Sequence, residues 1–367
     1  MRNFYFILLI ILVQGCVSGP DISFDCTIDC NTDDMTDNSP DYVGSVSYLP
    51  LAAYGDAVFR NIDKISFENG LIYIADYKSG KIIVYTTEGD IDFVLDRKGR
   101  GPGEYLDIKS FTVDSDCLYI LDNFNRKIFV YDSTDGTFIR SADIGFVAWD
   151  MEVFDNGDFV FAFSPMKGGH LDSGQPRGRI LITDGEFRIK ESLLEYKAGE
   201  YDLIGQLRYF STYDEKLLYS SICFDGFMIF DRGNPENRKY VELRFSRPIP
   251  KSSRQDENVL DKNYNYLADV PILCDDYVMT TIYDKSGYIS NYMYNSASGT
   301  WSENPEGGCR NYIYFPIASY DGSFVSLIDA ESVYDELVAT GFTRADEVVE
   351  EHLRQGNPVL LFYKMKI

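Results

Sequence analysis

What most constrains this chain is that it repeats itself at an offset of 46 residues. The run Leu71-Ile72-Tyr73-Ile74-Ala75-Asp76, then Lys81-Ile82-Ile83-Val84-Tyr85, then Glu88-Gly89-Asp90 reappears as Cys117-Leu118-Tyr119-Ile120-Leu121-Asp122, Lys127-Ile128-Phe129-Val130-Tyr131 and Asp135-Gly136. Each copy reads as an apolar strand ending at an Asp turn, a second alternating strand, and an acidic-Gly turn into a third. Weaker copies pair Asp158–Phe163 with Arg179–Gly185, Lys216–Ser220 with Phe227–Asp231, Asp276–Tyr283 with Ile289–Tyr294, and Ser323–Asp329 with Pro358–Lys364. The equivalent strand centres fall near 73, 119, 161, 219, 279 and 325. Such spacing is that of four-stranded blades carrying loop insertions. Six units over residues 44–367, about 54 residues each, predict an all-β, six-bladed β-propeller of four-stranded antiparallel blades. Radial repetition hides the sheet edges that a stack of loose sheets would expose, and the even spacing argues against a pair of β-sandwiches. Ser45–Leu51 is a spare strand, expected to close the ring in the sixth blade.

One stretch breaks the β pattern. Ser332-x-x-Asp335 opens a short helix through Ala339, and Thr343-x-x-Asp346 opens a second that ends at Gly356, ahead of Pro358. Both are capping-box-like, and Val348, Val349 and Leu353 give the second an apolar face. The expectation is a small α-helical insertion, about residues 331–356, in the last blade.

The N-terminus carries an address. Residues 1–15 hold one charge, Arg2, and an apolar run from Phe4 to Val13, too short for a ~30 Å hydrocarbon layer. Leu12-Val13-Gln14-Gly15-Cys16 places a small residue before a cysteine, in the pattern that makes Cys16 the lipidated first residue of a mature lipoprotein. The alternative is an ordinary cleaved signal. Residues 16–43, with seven Asp after the Cys and no Lys or Arg, read as an acidic flexible tether. This gives an outer-membrane lipoprotein facing the periplasm or the cell surface. Cys26 and Cys30 could pair in an oxidising compartment, whereas Cys117, Cys223 and Cys274 read as buried small hydrophobes.

Arg97-Lys98-Gly99-Arg100-Gly101-Pro102-Gly103-Glu104-Tyr105, followed by Ile108 and Phe111, resembles the junction motif of the 6-bladed β-propeller lipoproteins of Gram-negative bacteria, a family related to NHL and TolB-like propellers. The ending Asn357–Lys364 resembles that family's closing strand. The resemblance implies the fold and export; it implies no activity.

The glycines of the junction permit positive φ or close backbone approach, and Pro102 stiffens the turn. A loop from the outer strand of blade one to the inner strand of blade two is expected to run toward the axis, bringing Arg97, Arg100 and Glu104 to the central channel. The other reading is that Arg100 and Glu104 tie the two blades together. It is no phosphate loop, because the terminal Gly-Lys-Ser/Thr is missing. Loops after the second strand of each blade are expected on the same face, carrying Lys78, Asn123, Arg126 and His170, with Asp76 and Asp122 capping their own turns. A ring of polar and aromatic groups suits a glycan or a peptide.

Other chemistry finds little support. Two histidines, His170 and His352, cannot furnish a multi-His metal centre, and neither Gly-x-Ser-x-Gly nor an Asp-x-Asp-x-Asp-Gly calcium loop occurs. No cofactor or metal is expected. With 34 Lys and Arg against 58 Asp and Glu, a net charge of −24, the chain is not a nucleic-acid binder. The leading expectation is a non-enzymatic, lipid-anchored module binding a glycan, a peptide or an envelope protein. The alternatives are a carbohydrate-active hydrolase or lyase using mouth carboxylates such as Glu104, and a structural subunit of an envelope complex docking through the helical insert.

Overall fold

The computed structural model describes residues 23–32, 36–37, 43–165, 176–196, 202, 206, 208–222, 225–254, 264–283, 289–303 and 315–366. Six sheets succeed one another along the chain, each meandering from an inner to an outer strand. Blade 1 is Lys64–Glu68, Leu71–Asp76, Lys81–Thr86 and Ile91–Leu95; blade 2 is Ser110–Asp114, Cys117–Asp122, Lys127–Asp132 and Phe138–Asp143. Blade 3 is Asp150–Val153, Phe159–Ala162, Gly178–Thr183 and Ile189–Glu195, and blade 4 is Phe210–Tyr213, Lys216–Tyr219, Gly226–Asp231 and Arg238–Phe245. In blade 5 the inner strand is split into Tyr266–Leu267 and Ile272–Cys274, both paired with Tyr277–Tyr283, ahead of Ile289–Asn295 and Thr300–Glu303. Blade 6 takes Ala318–Tyr320, Ser323–Ile328 and Val359–Met365 from the C-terminal part of the chain and its outer strand, Val43–Pro50, from the N-terminal part. The closing pair is antiparallel, from Val359 opposite Pro50 to Lys364 opposite Ser45. The spare strand therefore closes the ring where the sequence placed it.

The 46-residue repeat is also a hydrogen-bond repeat. In blade 1 Asp76 accepts the backbone N–H of Arg60 (3.0 Å) and of Ser79 (3.0 Å); in blade 2 Asp122 accepts those of Leu106 (2.7 Å) and Asn125 (3.0 Å). The Tyr131 hydroxyl donates to Gly103 O as Tyr85 does to Ala57 O. Each Asp thus closes its own turn and clamps the incoming interblade loop, and its burial is offset by these backbone donors. Successive strands cross the ring in alternating directions, so interblade loops and the turns after second strands share one face, the junction face. Turns after first and third strands form the other, the turn face.

Two helices, α1 (Glu331–Ala339) and α2 (Glu347–Arg354), sit in the turn after the second strand of blade 6, on the junction face. Their starts differ from expectation. The N-cap of α1 is Ala330 with no side-chain bond, so Ser332 and Asp335 lie within the helix; α2 is capped by Asp346, whose carboxylate accepts Val349 N–H at 3.0 Å. A carboxylate at that position suits the partial positive charge of the helix start. Gly356, at φ 77°, ends the turn beyond α2. His352 lies on α2 with Nε2 3.0 Å from Leu51 O, pinning the hairpin to the closing strand's exit.

The segment read as a free tether is partly built into the ring. Cys26–Cys30 adds a parallel fifth strand to the outer edge of blade 4, from Cys26 opposite Val241 to Cys30 opposite Phe245, and Thr36–Asp37 pairs parallel with Ser302 and Glu303 of blade 5. Composition argued for disorder, but exposed blade edges supply backbone partners that composition does not register. Cys26 and Cys30 are both free. Four residues apart on one strand, they stand about 13 Å apart, far beyond the reach of a disulfide. Cys30 is buried, and burial pushes its thiol well above the ordinary range. Residues 1–22, including Cys16, lie outside the described residues.

Candidate functional site

The axis is filled, between blades 1 to 4, by a buried polar knot. Lys64, first residue of the inner strand of blade 1, donates from Nζ to Asp150 Oδ1 (2.9 Å), Ser110 Oγ (3.1 Å) and Met151 O (2.8 Å), and its Nζ stands 2.7 Å from Glu152 Oε1. Asp150 Oδ2 accepts the N–H groups of Tyr209 (2.9 Å) and Phe210 (3.1 Å), while Thr112 donates to Glu152 (2.7 Å). Lys64 and Ser110 occupy equivalent positions in the 46-residue repeat, so the knot is a ring layer whose members differ in chemistry. Burial alone would raise the Asp150 carboxyl, but Lys64, Ser110 and the Tyr209 N–H overcome it and hold it below the usual carboxylate range. Burial likewise opposes a charged Lys64, and Asp150 and Glu152 reverse it, raising the ammonium above its ordinary value.

At the junction-face mouth stand Lys109, with Nζ 4.4 Å over the Trp149 ring, and the half-buried Tyr77. The residues expected there are placed elsewhere. Tyr105 is buried and donates its hydroxyl to Gly80 O (2.9 Å) and Leu95 O (3.2 Å); Glu104 accepts Gly101 N–H (2.7 Å). A Cβ on Gly99 would lie 2.0 Å from Glu104 Oε2, and one on Gly103 would lie 2.5 Å from the Phe138 ring. Phe138 is in the outer strand of blade 2, and Leu95 ends the outer strand of blade 1. The glycine motif is therefore a knot tying the outer parts of blades 1 and 2, with Glu104 as its internal brace. The expectation that Arg97, Arg100 and Glu104 border the central channel is corrected: Arg97 and Arg100 are exposed at the rim. The loop turns back on its Tyr105 anchor before it reaches the axis. Lys78 and Arg126 are exposed on neighbouring turns of the same face. Asn123 is engaged by the backbone of Ala148, donating at 2.7 Å and accepting at 3.1 Å. His170 lies outside the described residues.

The turn face offers a better-formed site. Two compartments, of about 320 and 340 Å³, share Phe67, Tyr320 and Asp321 and run outward from the axis between blades 6 and 1. Their shared floor is a stacked aromatic pair, Phe67 on Tyr320, with ring centroids 4.4 Å apart and planes inclined at 15°. Tyr320 remains 39% exposed, so one ring surface is open. The axial compartment is lined by Ser66, Thr212, Tyr213, Asp214, Arg232 and Ser319; the outer one by Tyr48, Leu49, Leu71, Phe362 and Lys364.

An acidic collar surrounds the axial compartment. Every blade places a carboxylate at or just after the end of its inner strand: Glu68, Asp114, Asp155, Asp214, Asp275 and Asp321. In blades 4 to 6 the Asp itself occupies the tight turn at φ near 50°, a conformation that Asp tolerates better than most residues. Glu68 is raised above the usual carboxylate range by burial, which Arg232 opposes and which Asp114 and Asp155 reinforce. Arg232 is the one cation lining the axial compartment; its Nη2 is 3.4 Å from Asp155, and its buried Nε has no hydrogen-bond partner. Among the described residues no group of three or more His, Cys, Asp or Glu is arranged to hold a metal ion. The sequence carried a signal for this collar, an acid before or within each first turn of the repeat. The aromatic pair carried none, because Phe67 and Tyr320 meet only on ring closure.

The family model described as a domain of unknown function, DUF4934, matches residues 22–364. The structure is similar to that of a Bacteroides fragilis protein for which export has been suggested, with a TM-score of 0.74 and 17% identity over 93% of this chain and 100% of that one. It is also similar to a DUF4221 family member from Bacteroides vulgatus, with a TM-score of 0.51 and 14% identity over 88% and 97% of the two chains. No curated protein sequence matches this chain. Among the described residues no helix is long and apolar enough to cross a membrane.

Proposed function

Since the chain belongs to the DUF4934 family, we propose that it is an exported, lipid-anchored binding module that takes an extended peptide bearing a cationic side chain. Anchoring rests on Gly15-Cys16 after the apolar run, and export also on the suggested export of the Bacteroides fragilis protein of similar fold. The observation that carries the binding reading is the cleft itself, an open aromatic floor inside a collar of carboxylates. Asp214 and Asp321 line it and would seat an ammonium or guanidinium group beside the Tyr320 ring, where carboxylate attraction and cation–π attraction add. The unpartnered Nε–H of Arg232 would donate to a peptide carbonyl. The groove toward Phe362 and Leu49 would take an apolar neighbour.

A glycan is the second reading, supported by the exposed face of Tyr320, since sugars present an apolar face to such rings. Peptide-library and glycan-array binding to the soluble protein tests both readings. Tyr320→Ala and the pair Asp214→Asn and Asp321→Asn should each weaken peptide binding at least tenfold. Full affinity in both variants would overturn the assignment.

A further inference from the structure

The strap across the rim has a direction and a large set of bonds, and both bear on how the ring meets a membrane. Its strand runs parallel to the outer strand of blade 4, which rises from turn face to junction face, so the chain enters the strap at the turn face. Phe24 packs against the buried apolar cluster shared by blades 3 and 4. Asp25 accepts Tyr240 N–H (2.8 Å) and returns its own N–H to Tyr240 O (2.9 Å). Thr27 donates to Glu242 (2.9 Å), and Arg244 to Asp29 (3.0 Å). Cys30 is fully buried, and blade 5 joins in through Trp301 Nε1, which donates to Asp29 O (2.8 Å). Asn265, ahead of the inner strand of blade 5, reaches Thr32 Oγ1 (3.3 Å). The strap is therefore held by two blades and by side chains on both of its edges.

We propose that residues 24–32 are a rigid mount that holds the propeller with its turn face toward the bilayer. The proposal rests on the reading that Cys16 is acylated. Seven residues separate Cys16 from Phe24. Fully extended they span about 28 Å, and as a flexible coil about 15 Å. The body they carry is about 50 Å across. Laying the junction face on the bilayer would require this link to run back past six strand residues, about 20 Å. It would also have to clear the helical hairpin, about 10 Å thick. That exceeds the link's reach. In the mounted orientation the cleft of Phe67 and Tyr320 opens toward the membrane and the hairpin points away, so the lipid surface is a partner of the turn face.

The test uses full-length acylated protein in vesicles of phosphatidylethanolamine and phosphatidylglycerol containing acceptor-labelled headgroups. A donor dye is placed, through an azide-bearing residue, either at Glu236 on the turn face of blade 4 or at the exposed Phe124 on the junction face of blade 2. Energy transfer from position 236 should be at least twice that from 124. Ile28→Pro, which removes a ladder donor from the strap, should bring the two values together while circular dichroism still reports the folded ring. Protein that floats with the vesicles but gives equal transfer at both positions overturns the mount alone. Protein that does not float overturns acylation and the mount together.

Discussion

Lys64→Met is the perturbation whose consequence the structure specifies most fully. The substitution keeps a chain of similar length but removes the cation from a site where Asp150 is 2% exposed and Glu152 is largely enclosed. Ser110 and the Tyr209 and Phe210 N–H groups still solvate Asp150, so its charge is only partly stranded. Removing one partner of a buried pair costs about 3–5 kcal/mol. For a protein of this size that corresponds to a fall in Tm of roughly 5–10 °C. The variant carrying Lys64→Met, Asp150→Asn and Glu152→Gln together should recover part of the loss, because an uncharged layer leaves no unpaired charge behind. Differential scanning calorimetry across pH gives the second reading. Asp150 is depressed in the folded state, so its contribution is present above the unfolded carboxylate pKa and is lost as pH falls through its folded value. Lys64 is raised, so its contribution is present below the unfolded lysine pKa and is lost only as pH rises through its higher folded value. The gap between wild type and Lys64→Met should therefore be flat from pH 6 to 9 and narrow in acid. A gap under about 0.5 kcal/mol at pH 7 would refute the reasoning, since even an exposed pair is worth about that much.

Four further outcomes follow. Affinity for a cationic peptide should fall on acidification earlier than an ordinary carboxylate would dictate, because Glu68 takes up its proton above the usual range; isothermal titration between pH 4 and 7 reads this, and a pH-independent affinity contradicts it. Gly89→Ala should destabilise the ring closure by several kcal/mol, since the residue sits at φ 86° and a Cβ would lie 2.0 Å from Pro50 O; an unchanged urea midpoint contradicts it. In the native protein a maleimide should modify exposed Cys26 and spare Cys30 and Cys274, whose thiols burial pushes up, that of Cys274 to about 12; peptide mass mapping checks the pattern. Reversing Arg97 and Arg100 to Glu should leave ligand affinity within twofold, because both stand on the rim away from the cleft.

The fold was legible because its determinants are local and repeated. Asp76 and Asp122, Tyr85 and Tyr131 make the same bonds one blade apart, so the repeat in the sequence is the repeat in space. The site was less legible. Glycines and charges drew attention to Arg97–Tyr105, yet those glycines are there to let Phe138 and Glu104 approach the backbone, which is packing. The cleft is assembled from Phe67 in blade 1 and Tyr320 in blade 6, some 250 residues apart, and single positions in short strands carry no mark of such a meeting. The strap was missed for a related reason. Seven aspartates suggest an unfolded coil, but Asp25 and Asp29 each find partners on blade 4, in Tyr240 N–H and Arg244.

The most direct test of the cleft is to bind the tightest peptide from the library in photoreactive form, irradiate, and map the adducts by mass spectrometry. Adducts at Phe67, Tyr213 and Tyr320 are the predicted result. Labelling confined to Phe124, Arg97 and the other junction-face residues would contradict it.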